Sequence, residues 1–350
     1  MGAEPLPGRV MALQANYCLV GLDGPSELGT GGRLLCTRRT RLDKSGLQVC
    51  VGDRVTVASV DWGAGRGSVV GLEARHNLLE RPAVANVSRV VVVVSLAEPG
   101  LDPLQLTRFL ITAEATGQPV QVVLSKIDLL PAVEVEGWCR RLEGWGYGTV
   151  AVSTRSGEGL ATLRSHLGQP GIAVLCGPSG VGKSSLLNAL APALELRVAA
   201  VSGRLRRGRH TTRHVELFAL APGALVADSP GFNTPSLPTD LQTLAAAFPE
   251  LLARLRASPC RFANCRHQGD PGCAVGDTWD RRAIYGRCLE EVEALAGARS
   301  RGGQARQGDG GMRQRGDRLE PLLDPQLRRA SRSTRRQALE QDLSSPGRED

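Results

Sequence analysis

Eight consecutive residues, Gly177-Pro178-Ser179-Gly180-Val181-Gly182-Lys183-Ser184, have the types and spacing for phosphate chemistry. Glycines at the first, fourth and sixth positions let backbone N–H groups curl around phosphate oxygens without side-chain obstruction. Lys183 would bridge the β- and γ-phosphates of a bound nucleotide. The Ser184 hydroxyl would ligate Mg²⁺, and Ser185 would complete the phosphate contacts. An apolar run, I-A-V-L-C, precedes this loop and S-S-L-L-N-A-L follows it. That is the strand, loop and helix context the chemistry requires.

A second string, Ser125-Lys126-Ile127-Asp128, follows the apolar run P-V-Q-V-V-L. Asp128 could accept two hydrogen bonds from the N1 and N2 groups of guanine, a pattern adenine cannot offer. The usual form of the motif begins with Asn. Ser125 replaces it with a shorter group that makes fewer simultaneous bonds, so somewhat weaker binding with guanine preference retained is expected. V-S-T-R-S-G at Val152 to Gly157 resembles the second guanine-contacting loop, where the backbone N–H near Ser153 or Thr154 would meet guanine O6. The base-reading string therefore precedes the phosphate loop. An ordinary GTPase has the reverse order, so the chain reads as circularly permuted, with its nucleotide-sensing segments moved to the C-terminal end of the domain.

Those segments follow the phosphate loop. A-L-V-A-D-S-P-G-F, Ala224 to Phe232, matches a strand followed by the element that senses the γ-phosphate. Asp228 would hold Mg²⁺ through water and the Gly231 N–H would touch the γ-phosphate. Ras-like GTPases place a water-orienting Gln after that glycine. Phe232 cannot orient water, so slow unassisted turnover is expected. G-R-L-R-R-G-R-H-T-T-R-H, Gly203 to His214, occupies the position of the first switch. Thr211 or Thr212 is the candidate ligand for Mg²⁺ and the γ-phosphate, and His210 the candidate water-positioning group. The five arginines between Arg204 and Arg213 suit either a solvated face or RNA phosphates.

The last chemical cluster, Cys260 to Cys273, places Cys260, Cys265, His267 and Cys273 in the spacing C-x4-C-x-H-x5-C. Three thiolates and an imidazole suit a tetrahedral, closed, structural Zn²⁺ site with no open position for catalysis. A segment this short, with Gly269, Pro271 and Gly272, cannot build its own core, so a metal would supply its folding energy. Cys18, Cys36, Cys50, Cys139, Cys176 and Cys288 lack partners at metal spacing and read as small core residues.

These groups need elements to position them. The chain has 350 residues, 41% of them hydrophobic, enough for two or three domains whose cores rest on Val, Leu, Ala and Ile because aromatics are only 3%. Residues 1–76 alternate short apolar runs with glycine turns, the pattern of a small β-barrel, either generic or OB-like and nucleic-acid binding. From about Ala83 continuous apolar runs such as R-V-V-V-V-V-S-L alternate with helical segments. They predict a doubly wound α/β domain over 83–236. A small helical metal-binding domain is expected over 241–298. The rest, 299–350, reads as a disordered tail whose 12 Arg and 8 acidic residues carry a net +4 of the whole chain's +8. Lys44, Lys126 and Lys183 are the only lysines among 43 basic residues, and two of them lie in the nucleotide motifs. No stretch suffices to span a membrane, and nothing at the N-terminus reads as an export signal. A soluble, reduced, cytoplasmic protein without a membrane partner is expected, and a monomer.

Taken together, N-L-L-E-R-P-A-V-A-N-V at Asn77 to Val87, the permuted motifs, G-R-H-T-T and the cysteine cluster resemble the RsgA (YjeQ) family of small ribosomal subunit biogenesis GTPases across roughly residues 8 to 297. The resemblance implies an OB-fold, a circularly permuted P-loop GTPase and a C-terminal zinc domain. It implies binding to the 30S subunit and its 16S rRNA, and conversion of GTP to GDP and phosphate, stimulated by that subunit, during late maturation. On that analogy His210 is the preferred catalytic group and Thr212 the preferred switch threonine, beside Lys183. Two other classes stay open: an ATP-using P-loop enzyme, and a zinc-containing RNA-binding protein with a weakly active or regulatory nucleotide site.

Overall fold

The computed structural model describes residues 4–14, 16–23, 32–38, 48–80, 83–191, 215–228, 235–307, 312–315 and 318–321. His210, Thr211, Thr212, His214, Gly231, Phe232 and the arginine-rich run between Arg204 and Arg213 lie outside the described residues. So does the side chain of Asp228.

Five strands form the N-terminal barrel: β1 (Leu6–Gln14), β2 (Tyr17–Leu22), β3 (Arg33–Arg38), β4 (Arg54–Asp61) and β5 (Arg66–Leu72). Their order is β1-β2-β3-β5-β4, closed by a β1–β4 pairing. β3 and β5 run parallel while the other neighbours are antiparallel, which is the connectivity of an OB-fold. Inward Val10, Val20, Leu34, Val55, Val57 and Val69 fill the barrel. A register shift between Val10 and Ala12 is a β-bulge. By the ordinary alternation of a strand, Val10 faces the barrel core while its neighbour Met11 packs into the core of the next domain.

A short hairpin, β6 (Leu78–Glu80) and β7 (Ala83–Ala85), links the barrel to the α/β domain. Two asparagines pin it. Asn77 exchanges both side-chain hydrogen bonds with the Val87 backbone at 2.8 and 2.9 Å, and Asn86 Nδ2 donates to the Gly52 carbonyl at 3.1 Å.

The α/β domain comprises β8 (Val87–Ser95), α1 (Pro103–Glu114), β9 (Val120–Ser125), α2 (Ala132–Gly144), β10 (Gly148–Ala151), α3 (Leu160–Leu167), β11 (Gly171–Cys176), α4 (Lys183–Leu190), β12 (Glu216–Ala221) and β13 (Ala224–Asp228). The sheet order is β10-β9-β8-β11-β13-β12, parallel throughout except for β12 at its edge. The valine run of β8 explains its central place. Val90, Val92 and Val94 pack with Leu106, Phe109 and Leu110 of α1, while Val91 and Val93 pack on the opposite face with Leu163 of α3 and Leu186 and Leu187 of α4. The phosphate-loop strand β11 sits between β8 and β13 although it comes late in the chain. Circular permutation is thus a property of the connections, and the sheet is that of a P-loop GTPase. An edge pairing, Ala12 with Glu216, joins barrel and domain into one continuous eleven-stranded sheet.

The C-terminal module holds α5 (Leu241–Ala246), α6 (Pro249–Ala257) and α7 (Arg282–Gln307). Asp240 caps α5 by accepting from Thr243 N at 2.8 Å, and proline opens α6. Phe248, Leu251, Trp279, Tyr285 and Val292 form its core, and Ile111 from the back of α1 enters the same cluster. Phe248 meets Tyr285 and Trp279 edge to face at 5.1 and 5.9 Å. Fully buried Arg281 forks onto Glu250 and lies 4.5 Å over Phe248 and 4.6 Å over Trp145, which follows α2. Asp280 accepts from Arg141 Nε at 2.6 Å and from Trp145 Nε1 at 2.7 Å. The module is therefore anchored on α1 and on the end of α2. Removing one partner of a buried pair such as Arg281 and Glu250 costs about 3–5 kcal/mol. Residues 293–350 form a separate compact unit, whose described part is the distal half of α7 and an antiparallel hairpin, Met312–Arg315 with Arg318–Pro321.

Candidate nucleotide site and metal centre

β11 ends at Cys176 and the chain turns at once. Gly177 has φ 136°, and a Cβ there would lie 2.0 Å from the Val93 carbonyl oxygen, so the loop can leave the sheet only as glycine. Pro178 and Ser179 cross the sheet end, Gly180 turns again, and buried Val181 anchors the loop on the α3–α4 side. Gly182, left-handed at φ 94°, caps α4, whose first residues are Lys183, Ser184 and Ser185. The open N–H groups of that helix face the loop mouth, the arrangement that attracts a phosphate. Lys183 Nζ donates to the carbonyls of Gly177 and Pro178, both at 2.7 Å, which holds the ammonium across the mouth. Burial pushes the Cys176 thiol up to about 12, partly offset by the charge of Lys183, so the thiol is an inert core group.

The base-reading string lies at the end of β9, two strands away. Buried Ser125 places its hydroxyl 2.6 Å from the Val181 carbonyl and 3.0 Å from that of Val94. With one proton to give, it ties β9 to the phosphate loop through the shorter contact. Lys126 adopts the left-handed conformation at φ 58° and donates to the Glu98 carbonyl. Ile127 is buried and opens a single 3₁₀ turn on which Asp128 is exposed. The Ser153 hydroxyl donates to Asp128 Oδ1 at 2.6 Å and accepts from the backbone N–H groups of Arg155 and Ser156, each at 3.1 Å. The Ser153 N–H itself donates to the Glu158 carbonyl at 3.0 Å.

The structure brings Gly177 to Ser185, Ser125 to Asp128 and Ser153 to the carboxyl ends of β11, β9 and β10 of one sheet, where ligands of such sheets bind. Asp228 ends β13, with its backbone opposite Leu175 of β11 and Glu216 of β12. Two contacts had no counterpart in the motif reading: the Glu98 carbonyl under Lys126, and the Ser153 hydroxyl on Asp128. The tripeptide E-P-G at Glu98 to Gly100 is the local signal that could have indicated a loop there, but not its target.

The ligand atoms of Cys260, Cys265, His267 and Cys273 all lie within 4.8 Å of one another. His267 Nδ1 is 3.5 Å from Cys260 Sγ and 3.9 Å from Cys273 Sγ. Bonds of about 2.0–2.3 Å around a tetrahedral zinc require ligand separations of roughly 3.5–3.8 Å, so Cys260 and His267 already stand at that spacing, and the widest pair need close by no more than about 1 Å for the set to hold the ion. Asp270 shapes the loop by accepting from the Arg266 N–H at 3.1 Å and the Gln268 N–H at 3.4 Å. Of the remaining cysteines, Cys18, Cys36, Cys50, Cys176 and Cys288 are buried and Cys139 is half-buried.

Fold and site together define a circularly permuted GTPase carrying an OB-type barrel and a cysteine-histidine module. The model of the RsgA GTPase family matches residues 72–238. A protein of Synechococcus sp. strain CC9605 named small ribosomal subunit biogenesis GTPase RsgA is 55% identical over 85% of this chain and 97% of its own length. A protein of the same name from Thermosynechococcus vestitus is 47% identical over 95% of each chain. Among solved structures, YjeQ from Thermotoga maritima superposes with a TM-score of 0.66 at 28% identity, covering 83% of this chain and 99% of its own. YloQ, described as a circularly permuted GTPase, superposes with the same score at 26% identity, covering 83% and 96%. The chain belongs to the RsgA GTPase family and is a GTP-hydrolysing enzyme. Among the described residues, no helix is long and apolar enough to cross a membrane.

Proposed function

We propose that this chain binds the small ribosomal subunit through its 16S rRNA and hydrolyses GTP there during late subunit maturation, as a monomer in the cytoplasm. The observation that carries this reading is the permuted site itself, with Ser125 bonded to the phosphate loop at Val181 and Asp128 held by Ser153. It is joined to the names borne by relatives that match 85% and 95% of the chain.

In this reading residues 1–76 form the RNA-binding barrel, 83–236 the GTPase, 241–298 the zinc module and 299–350 a basic tail. Asp128 accepts from guanine, and Thr154 offers the amide for O6 because the Ser153 N–H is already engaged. Lys126 and Ile127 shape the base pocket. Gly177 to Ser185 cradle the phosphates with Lys183. Ser184 and Thr212 hold Mg²⁺, with Asp228 behind them, and the ion would neutralise charge that develops on the phosphates. Gly231 reports the γ-phosphate and His210 positions water. Cys260, Cys265, His267 and Cys273 hold one structural zinc ion.

The test is GTP turnover with and without purified 30S subunits. Several-fold or greater stimulation is expected. Equal rates would refute the ribosomal reading while leaving the nucleotide site intact.

A further inference from the structure

In the sheet order β10-β9-β8-β11, β8 lies between the strand that ends in the base-reading string and the strand that ends in the phosphate loop. The loop that leaves β8, Leu96 to Leu101, is therefore the middle one at that end of the sheet, and neither nucleotide motif includes it. Both its ends are fixed. Ser95, buried and in register with Ser125 of β9, accepts from the Ala97 N–H at 3.3 Å and donates to the Ala97 carbonyl. At the other end Asp102 caps α1 by accepting from Leu104 N at 2.9 Å. Between them Glu98 stands at φ 51°, a left-handed angle that residues with a side chain rarely adopt and that persists only where the surroundings hold it. That angle aims one carbonyl. The Glu98 carbonyl accepts from Lys126 Nζ, and the carboxylate plays no part in the contact. The stem of Lys126 then crosses the phosphate loop, where a Cβ on Gly182 would lie 3.9 Å from Lys126 Cε. Pro99 meets the same loop at its preceding glycine, where a Cβ on Gly180 would lie 3.7 Å from Pro99 Cδ. Pro99 and Pro178 line one void of about 10 Å³, room for no more than a single water.

We propose that Glu98 is a positioning residue for nucleotide binding, acting through its backbone: the left-handed turn points its carbonyl at Lys126 and so holds the lysine stem across Gly182. Without that partner the ammonium would swing on a flexible four-carbon stem, and the stem would offer a nucleotide no fixed apolar face. With it, a charged donor is tied to a carbonyl whose own position is set by Ser95, by the α1 cap and by Pro99 against the phosphate loop. The same loop thus touches the base-reading string through Lys126 and the phosphate loop through Pro99. An error in its backbone is felt in both halves of the site. The inference rests on the proposed place of Lys126 in the base pocket.

The test is the GDP affinity of the full-length, zinc-loaded protein, read by fluorescent-nucleotide titration. Glu98→Val, whose branched Cβ resists a left-handed angle, should raise the GDP dissociation constant about tenfold, the low end for losing a hydrogen bond to a charged group. Glu98→Gly keeps the carbonyl and accepts the angle, so it should bind within about twofold of the wild type. In a Lys126→Ala background, itself weakened, Glu98→Val should add nothing, whereas independent structural damage would add its full effect. Unchanged affinity in Glu98→Val, equal weakening by the valine and glycine substitutions, or additivity with Lys126→Ala would overturn the proposal. If Lys126→Ala binds GDP as tightly as the wild type, the place of Lys126 in the base pocket falls and this inference falls with it. A weakened Lys126→Ala beside a normal Glu98→Val overturns this inference alone.

Discussion

The Ser153 hydroxyl donates to Asp128 Oδ1 at 2.6 Å while two backbone amides donate to it in turn, so every bonding position of that hydroxyl is used. Its direction is fixed by the β10 loop. The carboxylate expected to read guanine is therefore held by an element 25 residues further along the chain.

Ser153→Ala should loosen that carboxylate. A hydrogen bond to a charged group contributes about 1.5–3 kcal/mol, and each 1.4 kcal/mol is about tenfold in affinity. A ten- to hundredfold rise in the GDP dissociation constant is expected by fluorescent-nucleotide titration, with little change in thermal midpoint. An unchanged constant would mean that Asp128 is oriented by something else.

Ser125 is expected to weaken nucleotide binding, being shorter than Asn, but its hydroxyl reaches the Val181 carbonyl and links base reader to phosphate loop directly. Ser125→Ala should remove about 1 kcal/mol of that tie. The measurement is amide hydrogen exchange at residues 177–182, which should accelerate, together with GDP affinity, which should fall severalfold. Ser125→Asn showing tighter binding than the wild type would support the expectation of a weak site; looser binding would show that the buried position fits only a hydroxyl.

Much of this architecture was legible in the residues, for physical reasons. The valine run of β8 had to be a central strand because only a two-faced core can bury both alternations. The phosphate loop declared itself because Gly177 tolerates no Cβ. The cysteine spacing foretold four donor atoms that the fold does gather. What stayed hidden depends on long-range pairing. The antiparallel edge strand β12 and its bridge from Glu216 to Ala12 join segments some 200 residues apart, and no local periodicity encodes such a partner. Arg281 likewise reads as one more surface arginine until Phe248 and Trp145 close over it. The two faces of β1, Val10 toward the barrel and Met11 toward the α/β core, are covered by partners far away in the chain.

Removing the metal should act locally. The cluster Cys260 to Cys273 has little apolar content of its own, whereas Phe248, Trp279 and Tyr285 form a core beside it. Chelation, or Cys265→Ser, should lower zinc content from about one ion per chain and abolish exchange protection at residues 258–276. GDP affinity should hold. Loss of nucleotide binding on chelation would show that the module supports the whole GTPase, contrary to this expectation.

Asp280 makes the docking of the C-terminal module depend on pH. Hydrogen bonds from Arg141 hold its carboxyl below the ordinary 3.8, desolvation opposes them, and the Trp145 N–H and the arginine charges add to the lowering. A carboxylate depressed on folding contributes stability that is present above about pH 4 and is lost as pH falls through the lower folded value. The pair is roughly two-fifths exposed, so its contribution is at most about 1 kcal/mol. Asp280→Asn should therefore melt a few degrees below the wild type at pH 7, with the two curves converging as pH drops below 4. Thermal midpoints measured across that range decide the matter. Parallel curves would mean that Asp280 keeps the same charge state folded and unfolded, and that Arg281 with its aromatic cage holds the module without it.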